Sequence, residues 1–183
     1  MNTRKIGVCG PGGVGKTELA EALSKKLNIP LLKSREVTQE ILNRDGYDYT
    51  SGIQIERFLA NIGRQNEMLK RTLELQSVPS FVTDRTLIDL AAYATCELYN
   101  SDHNVLRNII KECRDNVQAY THIFFCPWKD VPVEDNNRRT LNPMYQHLIH
   151  MVELGIMADW GCSFVFLEED GTDARLNTVM EKL

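Results

Sequence analysis

The motif GPGGVGKT at residues 10–17 constrains this chain more than any other feature of its sequence. It follows a short apolar run, KIGVC, that predicts a strand. It precedes KTELAEALSKKLN, whose apolar residues recur at helical spacing. Glycines between a strand and a helix let the backbone N–H groups turn inward on one anion, and the helix N-terminus adds partial positive charge. The motif therefore predicts a P-loop that binds the phosphates of a nucleoside triphosphate.

Two side chains of this loop have separate expected roles. Lys16 supplies a mobile cation for the β- and γ-phosphates, and Thr17 offers its hydroxyl to Mg²⁺. We therefore expect ATP and Mg²⁺ as cofactors. The predicted nucleotide-binding residues are Gly10, Gly12, Gly13, Val14, Gly15, Lys16 and Thr17. The motif alone does not separate a kinase from a GTPase, a motor or an ATP-driven switch.

The rest of the chain alternates between predicted strands and predicted helices. Apolar runs rich in β-branched or aromatic residues occur at PLLK, SFVT, THIFFC and SFVFLE, and helical patterns separate them. The longest helical pattern spans 53–76, and TQEILNR is a shorter helix after the second strand. Strands joined by helical crossovers form a mostly parallel sheet covered on both faces. We therefore predict a three-layer α/β fold in one domain of 183 residues.

Charged residues follow two of the predicted strands. Arg35 and Glu36 come after the second strand, and Asp84 and Arg85 come after the third. The carboxyl ends of parallel strands meet at one edge of a sheet, so these side chains are expected near the bound phosphates. A carboxylate can accept the proton of an attacking hydroxyl, and arginines can offset charge on phosphoryl oxygens. This pattern indicates phosphoryl transfer, although Asp84 alone would also suit a helix cap.

A polar segment after the fourth strand, at approximately residues 128–142, is predicted to be a lid. It contains Asp135, Arg138 and Arg139. A lid with arginines can close over the nucleotide and exclude water, which an ATP-using transferase needs in order to avoid hydrolysis. At least one of Arg138 and Arg139 is expected to reach phosphate and act in catalysis.

The strand–DRT–helix segment around Asp84 and Arg85, with LAAYA after it, resembles the DR motif of thymidylate kinases and deoxynucleoside kinases. LLKSREVT is similar to the segment after the second strand in thymidylate kinases, although Val37 replaces that family's proline. The overall layout resembles small P-loop kinase-like ATPases related to the ribosylnicotinamide kinase domain. The resemblance implies a P-loop NTPase fold whose five-stranded parallel sheet has the order 2-3-1-4-5.

The same resemblance implies roles for individual residues. Asp84 would lie near Mg²⁺ or the acceptor hydroxyl, which makes Thr17 and Asp84 the candidate metal ligands. Arg85 would contact phosphate or acceptor, and Glu36 would be a second candidate base. In the nucleoside-kinase relatives a long helix lines the acceptor pocket. The acceptor-binding candidates are therefore Arg35, Glu36, Arg64, Gln65 and Arg85. Tyr93 is assigned to packing instead.

The favoured interpretation is a kinase that phosphorylates a nucleoside, a nucleotide or a related compound. One alternative is a kinase of hydroxymethylated pyrimidines in DNA, which would have an open cleft rimmed by cations such as Lys33, Arg57, Arg64 and Arg71. The net charge of −4 argues against that substrate, because DNA normally binds a basic surface. The other alternative is a nucleotide-dependent switch ATPase without a small acceptor.

Location and assembly are less constrained. The N-terminus has no long apolar segment and no stretch approaches the length of a membrane span, so we expect a cytoplasmic protein without a membrane partner. The resemblance to thymidylate kinases implies a possible homodimer through the long helix and the helix after Asp84.

Overall fold

A computed structural model describes residues 3–50, 55–100, 103–130 and 142–183. The strands in these residues form one five-stranded parallel sheet in the order β2-β3-β1-β4-β5. They are β1 Lys5–Cys9, β2 Leu31–Leu32, β3 Phe81–Thr83, β4 His122–Phe125 and β5 Val165–Phe166. The predicted strand order 2-3-1-4-5 and the α/β fold are thereby confirmed.

Eight helices are described around this sheet. They are α1 Lys16–Leu27, α2 Ser34–Arg44, α3 Ile55–Leu59, α4 Ile62–Leu75, α5 Leu87–Leu98, α6 His103–Val117, α7 Pro143–Trp160 and α8 Thr172–Lys182. Helix α7 begins at Pro143, which suits the first turn of a helix, and the Asn142 side chain caps it by accepting a hydrogen bond from the Met144 N–H.

Two apolar clusters, one on each face of the sheet, produce the three layers. Along β1, Ile6 and Val8 pack with the apolar residues of α1 and α8, whereas Cys9 joins the cluster with α2 and α4–α7. This alternation follows from the two-residue period of a strand, which sends neighbouring side chains to opposite faces. The sheet is therefore covered on both faces, as its apolar strands require.

The long helix predicted over 53–76 is wrong, because the chain breaks it into α3 and α4. Asn61 lies between them in an extended conformation, with φ −134° and ψ 124°. Its side chain accepts a hydrogen bond from the Arg64 N–H at 3.2 Å and so caps α4. Asparagine stabilises a helix start better than a helix interior, so the break falls here rather than at Gly63.

Helix α2 starts earlier than the sequence pattern predicts. Its first residue is Ser34, so Arg35 and Glu36 lie in its first turn rather than in a turn before it. The Ser34 hydroxyl is buried and lies 3.1 Å from the Thr83 hydroxyl at the end of β3. This contact ties the start of α2 to the carboxyl edge of the sheet.

The register of the sheet brings two loops together. Gly7 of β1 pairs with Thr83 of β3, and Cys9 pairs with Phe125 of β4. The P-loop directly follows β1, and Asp84 directly follows β3, so both lie at one edge. This edge carries the candidate site.

The expected dimer face has no support in this fold. Most residues of α5 are buried, and α5 packs against α4, α6 and α7 of its own chain. A second copy therefore has little of α5 left to contact. As for membranes, none of the described helices is both long enough and apolar enough to cross one.

Candidate active site

A cavity of about 450 Å³ opens at the carboxyl edge of the sheet. Its lining combines residues 12–17 of the P-loop with residues of α2, α3, α4 and α5. Its volume is within the range of pockets that bind small ligands. One cavity therefore joins the phosphate-binding loop to space that can hold a second molecule.

The P-loop has a shape that glycine makes possible at its first position. Gly10 has a φ of +133°, and a Cβ atom there would lie 2.1 Å from the carbonyl oxygen of Cys126. Any other residue would be strained and would collide with the chain that leaves β4. The sheet and the loop thus pack too closely to admit a side chain at this position.

The Lys16 side chain lies at the centre of the charged groups. Its ammonium donates to the carbonyl oxygens of Gly10 and of Pro11, the latter at 2.7 Å, and lies 3.8 Å from Oδ1 of Asp89. The side chain is only 9% exposed. The loop carbonyls and Asp89 together hold this cation at the loop mouth, where an incoming phosphate would meet it.

Thr17 and Asp84 form an oxygen-rich pair beside the loop. The Thr17 hydroxyl donates to Oδ2 of Asp84 at 3.0 Å. Asp84 is 2% exposed, and its Oδ1 is buried without a hydrogen-bond partner among the described residues. Hydroxyl and carboxylate oxygens are the ligands that Mg²⁺ prefers, and an unpartnered buried carboxylate oxygen is costly unless something binds it. These two residues therefore fit the metal that the P-loop implies.

Arg85 and Tyr93 line the cavity next to this pair. The guanidinium of Arg85 lies 5.5 Å from the centre of the Tyr93 ring, a distance that suits a cation–π contact. Thr86 and Asp89 then start α5 with reciprocal capping hydrogen bonds, since Oδ2 of Asp89 accepts from the Thr86 N–H at 2.7 Å. The rigid start of α5 thus fixes Arg85 at the cavity wall.

A buried acid pair lies behind Lys16. Asp89 on α5 and Glu153 on α7 are 1% and 0% exposed, and neither oxygen of Glu153 accepts a hydrogen bond from the described residues. Burial raises the pKa of Glu153 well above its ordinary value, and the charge of Asp89 raises it further. Burial raises the pKa of the Asp89 carboxyl as well, but the charge of Lys16 and the hydrogen bonds from Thr86 act in the opposite direction. Of the two carboxyls, Glu153 is therefore the one expected to hold a proton more strongly.

Glu153→Gln is expected to change how stability depends on pH. The folded protein holds a proton on Glu153 that the unfolded chain releases above about pH 4.5, so stability falls as pH rises toward the raised pKa. Glutamine removes this loss. The free energy of unfolding of the variant, relative to that of wild type, should therefore increase by up to about 1.4 kcal/mol per pH unit. Thermal unfolding between pH 5 and pH 8 measures the difference.

The control for this prediction is Glu181→Gln, which changes an exposed carboxylate on α8. Its stability should follow wild type at every pH. If the stability of Glu153→Gln also changes with pH in the same way as that of wild type from pH 5 to pH 8, the buried proton is not on Glu153.

Helical spacing on α2 separates the two charged residues predicted there. Arg35 lines the cavity together with Thr38, Gln39 and Leu42, which lie three, four and seven residues further along. Glu36 lies on another face, is 65% exposed at its side chain and pairs with Lys33 at 3.5 Å. The structure therefore does not bring Glu36 to Lys16 and Asp84, contrary to the expectation of a second base there.

Arg64 and Gln65 also lie outside the cavity wall. Nε of Arg64 donates to Asp45 at 2.7 Å, and its guanidinium stacks 3.8 Å from the centre of the Phe58 ring. The Gln65 amide is buried and donates to Oε2 of Glu97 at 2.6 Å. Arg64 thus joins α4 to α2 and α3. Gln65 positions Glu97, which does line the cavity.

The predicted lid residues Asp135, Arg138 and Arg139 lie outside the described residues. Other cavity residues were missed by sequence reasoning. They are Asp89, Tyr93, Glu97 and Gln146. Asp89, Tyr93 and Glu97 follow one another at four-residue spacing on α5, so they share one face of that helix. This periodicity was a usable signal, and it places Tyr93, which was assigned to packing, at the cavity wall.

Comparisons with known proteins agree with this geometry. Residues 5–175 match the AAA domain family AAA_28. Over 75 residues the chain is 37% identical to the disease resistance protein RPP2A of Arabidopsis thaliana, a match that covers 41% of this chain and 6% of that protein. The matched segment is therefore a small part of this curated relative.

Solved structures show the same fold at low sequence identity. Deoxyadenosine kinase from M. mycoides is 18% identical with a TM-score of 0.62, and the match covers 97% of each chain. The NadR protein in complex with NR is 16% identical with a TM-score of 0.71, over 98% of this chain and 50% of that one. Thymidylate kinase from Candida albicans is 14% identical with a TM-score of 0.60, over 98% and 91%. The chain therefore belongs to the AAA domain family AAA_28, and its fold is that of the P-loop nucleoside and nucleotide kinases.

Proposed function

We propose that this protein is an ATP- and Mg²⁺-dependent phosphotransferase that phosphorylates a nucleoside, a nucleotide or a similar small molecule. One observation carries the proposal: a single cavity of about 450 Å³ is lined by the P-loop and also by residues of α2, α3, α4 and α5, which we call the second compartment. An ATPase without a small acceptor has no need of that compartment. A phosphotransferase must bind donor and acceptor side by side.

The second compartment has the chemistry that a nucleoside-like acceptor needs. Its apolar walls include Leu59 and Met68, which can contact a base. Arg35, Tyr93 and Glu97 line it with charge and hydrogen-bonding capacity. Apolar walls with a few polar groups are typical of small-molecule sites.

Each residue beside the P-loop has a separate role in the proposed phosphoryl transfer. Lys16 binds the terminal phosphates, and Thr17 with Asp84 would hold Mg²⁺, which when bound neutralises charge on the β- and γ-phosphates. Arg85 offsets the negative charge on the phosphoryl oxygens or binds the acceptor. Catalysis then comes mainly from positioning and charge neutralisation. Arg138 and Arg139 remain the proposed lid arginines.

The ligands bound in the similar structures support this class of acceptor. The M. mycoides deoxyadenosine kinase binds dCMP, dCTP or dATP in separate structures, and NadR binds NR or NAD with AMP-PNP. All of these ligands are nucleosides or nucleotides. We extend this ligand class to the present chain, together with a cytoplasmic location.

DNA is a less favoured acceptor because the expected basic rim is largely neutralised. Lys33 pairs with Glu21 and Glu36, Arg64 pairs with Asp45, and Arg71 pairs with Glu40 and Glu67. Cations that already have carboxylate partners release few counterions from a DNA backbone. The paired charges thus support a small acceptor.

A transfer assay tests the proposal. Labelled ATP and Mg²⁺ are incubated with the protein and a panel of nucleosides, nucleoside monophosphates, ribosylnicotinamide and hydroxymethyl-containing DNA. We expect label on at least one of the small acceptors and none on the DNA. The small acceptor should also protect ATP from hydrolysis, because its hydroxyl replaces water near the γ-phosphate.

Two outcomes would contradict the proposal. Labelled DNA alone would favour a base kinase acting on DNA. Release of inorganic phosphate with label on no acceptor would favour a switch ATPase.

A further inference from the structure

Gln146 on the first turns of α7 reaches across to the P-loop. Its Oε1 accepts a hydrogen bond from the Gly12 N–H at 2.6 Å, and the side chain is 1% exposed. The contact links two parts of the chain that are 134 residues apart. A buried amide is therefore held against the loop that is expected to bind phosphate.

The hydrogen-bond partner of Oε1 identifies which atom of the Gln146 amide is the oxygen and which is the nitrogen. A backbone N–H can only donate, so the atom that faces Gly12 must be the amide oxygen. Nε2, with its two N–H groups, is the other polar atom of this amide, and it would lie 3.3 Å from a Cβ atom at position 12. Nε2 donates to no atom of the described residues, and Gln146 lines the cavity. A nearly buried donor without a partner is costly, which indicates that a ligand supplies the acceptor.

The position of Lys16 shows which part of a nucleotide would lie there. The Lys16 ammonium donates to the carbonyls of Gly10 and Pro11, which directly precede Gly12. In a P-loop this lysine reaches the β- and γ-phosphates. Gly12 and the Gln146 amide are therefore at the terminal-phosphate end of the site.

We propose that Gln146 is a further substrate-binding residue, whose Nε2 group donates to a terminal phosphate oxygen of bound ATP while Oε1 stays on Gly12. The assignment rests on the proposed function, since it requires a nucleoside triphosphate in the P-loop. It makes α7 part of the donor site and gives the transferred phosphoryl group a neutral donor beside Lys16. A Cβ atom at position 12 would lie 2.8 Å from Oε1, so glycine at this position preserves the arrangement.

The decisive variant is Gln146→Glu. Glutamate keeps the length of the side chain and an oxygen for the Gly12 N–H, but it replaces the donor with an anionic oxygen. We expect at least about a tenfold loss of affinity for Mg²⁺ with the β,γ-imido analogue of ATP, because a charged hydrogen bond becomes a repulsion. ADP, which lacks the terminal phosphate, should lose less than about threefold. Calorimetric titration measures both affinities.

Two further variants complete the test. Gln146→Leu removes donor and acceptor together, and it should also weaken binding of the ATP analogue more than binding of ADP. Leu148→Ala, which changes a side chain 49% exposed on the same helix, is the matched control and should bind both nucleotides as wild type does. Thermal unfolding of every variant checks that it is folded.

The outcomes separate a ligand contact from a structural one. Equal losses for the ATP analogue and ADP would show that Gln146 only supports the P-loop backbone, which overturns the inference. Wild-type affinities in both Gln146 variants would overturn it as well. A wild-type protein that binds neither nucleotide would overturn the proposed function itself, and this inference with it.

Discussion

Lys16→Ala is expected to abolish phosphoryl transfer and to weaken Mg²⁺-ATP binding by about a hundredfold or more. The Lys16 ammonium is buried between the carbonyls of Gly10 and Pro11 and the carboxylate of Asp89. Alanine removes the cation that meets the phosphates. It also leaves those carbonyls and the Asp89 carboxylate without their counter-charge, so the loop mouth would repel an anion. Titration with the non-hydrolysable ATP analogue measures the binding loss.

Lys33→Ala is the matched control for this substitution. Lys33 is 43% exposed at its side chain and pairs with Glu21 and Glu36 outside the cavity. Loss of the Lys33 charge should change the affinity for Mg²⁺-ATP by less than about twofold, because exposed charge pairs contribute little. If Lys16→Ala bound and transferred like wild type, the P-loop would not be the nucleotide site.

Asp84→Asn is expected to lower transfer by about a thousandfold or more while the protein stays folded. Asparagine has the shape of aspartate and can still accept from the Thr17 hydroxyl, but it lacks the charge that attracts Mg²⁺. Since Oδ1 of Asp84 is buried and unpartnered in the described structure, the metal is the group that this oxygen is best placed to bind. The variant should need a much higher Mg²⁺ concentration for ATP to bind, which a magnesium titration measures.

Glu36→Gln provides the comparison, because the sequence alone left Asp84 and Glu36 as competing carboxylates. Glu36 faces Lys33 on the outer side of α2, so its amide variant should keep activity within about twofold. Full activity in Asp84→Asn would remove Asp84 from the mechanism. Asp89 would then be the carboxylate of the cavity closest to Lys16.

The residues that sequence reasoning located correctly are those whose position depends on local structure. Asp84 follows β3 directly, and Thr17 is the second residue of α1 after the P-loop that leaves β1, so the parallel sheet brings both to one edge. Lys16 has its place in the P-loop motif. Short-range rules about turns, strand ends and helix starts were sufficient for this part of the site.

The residues that sequence reasoning misplaced depend on helix boundaries and on packing between helices. Because α2 starts at Ser34, Arg35 lines the cavity and Glu36 lies on another face of the helix. Arg64 contacts Asp45 and Phe58, which belong to α2's end and α3, and no local pattern indicates such contacts. One residue of shift turns a helical side chain by about 100°, so small boundary errors change which face meets the site.

By itself, the sequence determined the α/β class and the P-loop, because predicted strands alternate with predicted helices and the motif stands between a strand and a helix. The strand order and the pairing of Asp84 with Thr17 at a metal were implied by the resemblance to P-loop kinases. Only the tertiary structure decided which helix faces complete the site, because that depends on how α5 and α7 pack beside the edge of the sheet. This packing places Glu153 near Lys16. It also places the Gln146 side chain against Gly12, a contact between residues 134 positions apart. Long-range packing of this kind arises from the whole core and leaves no local pattern.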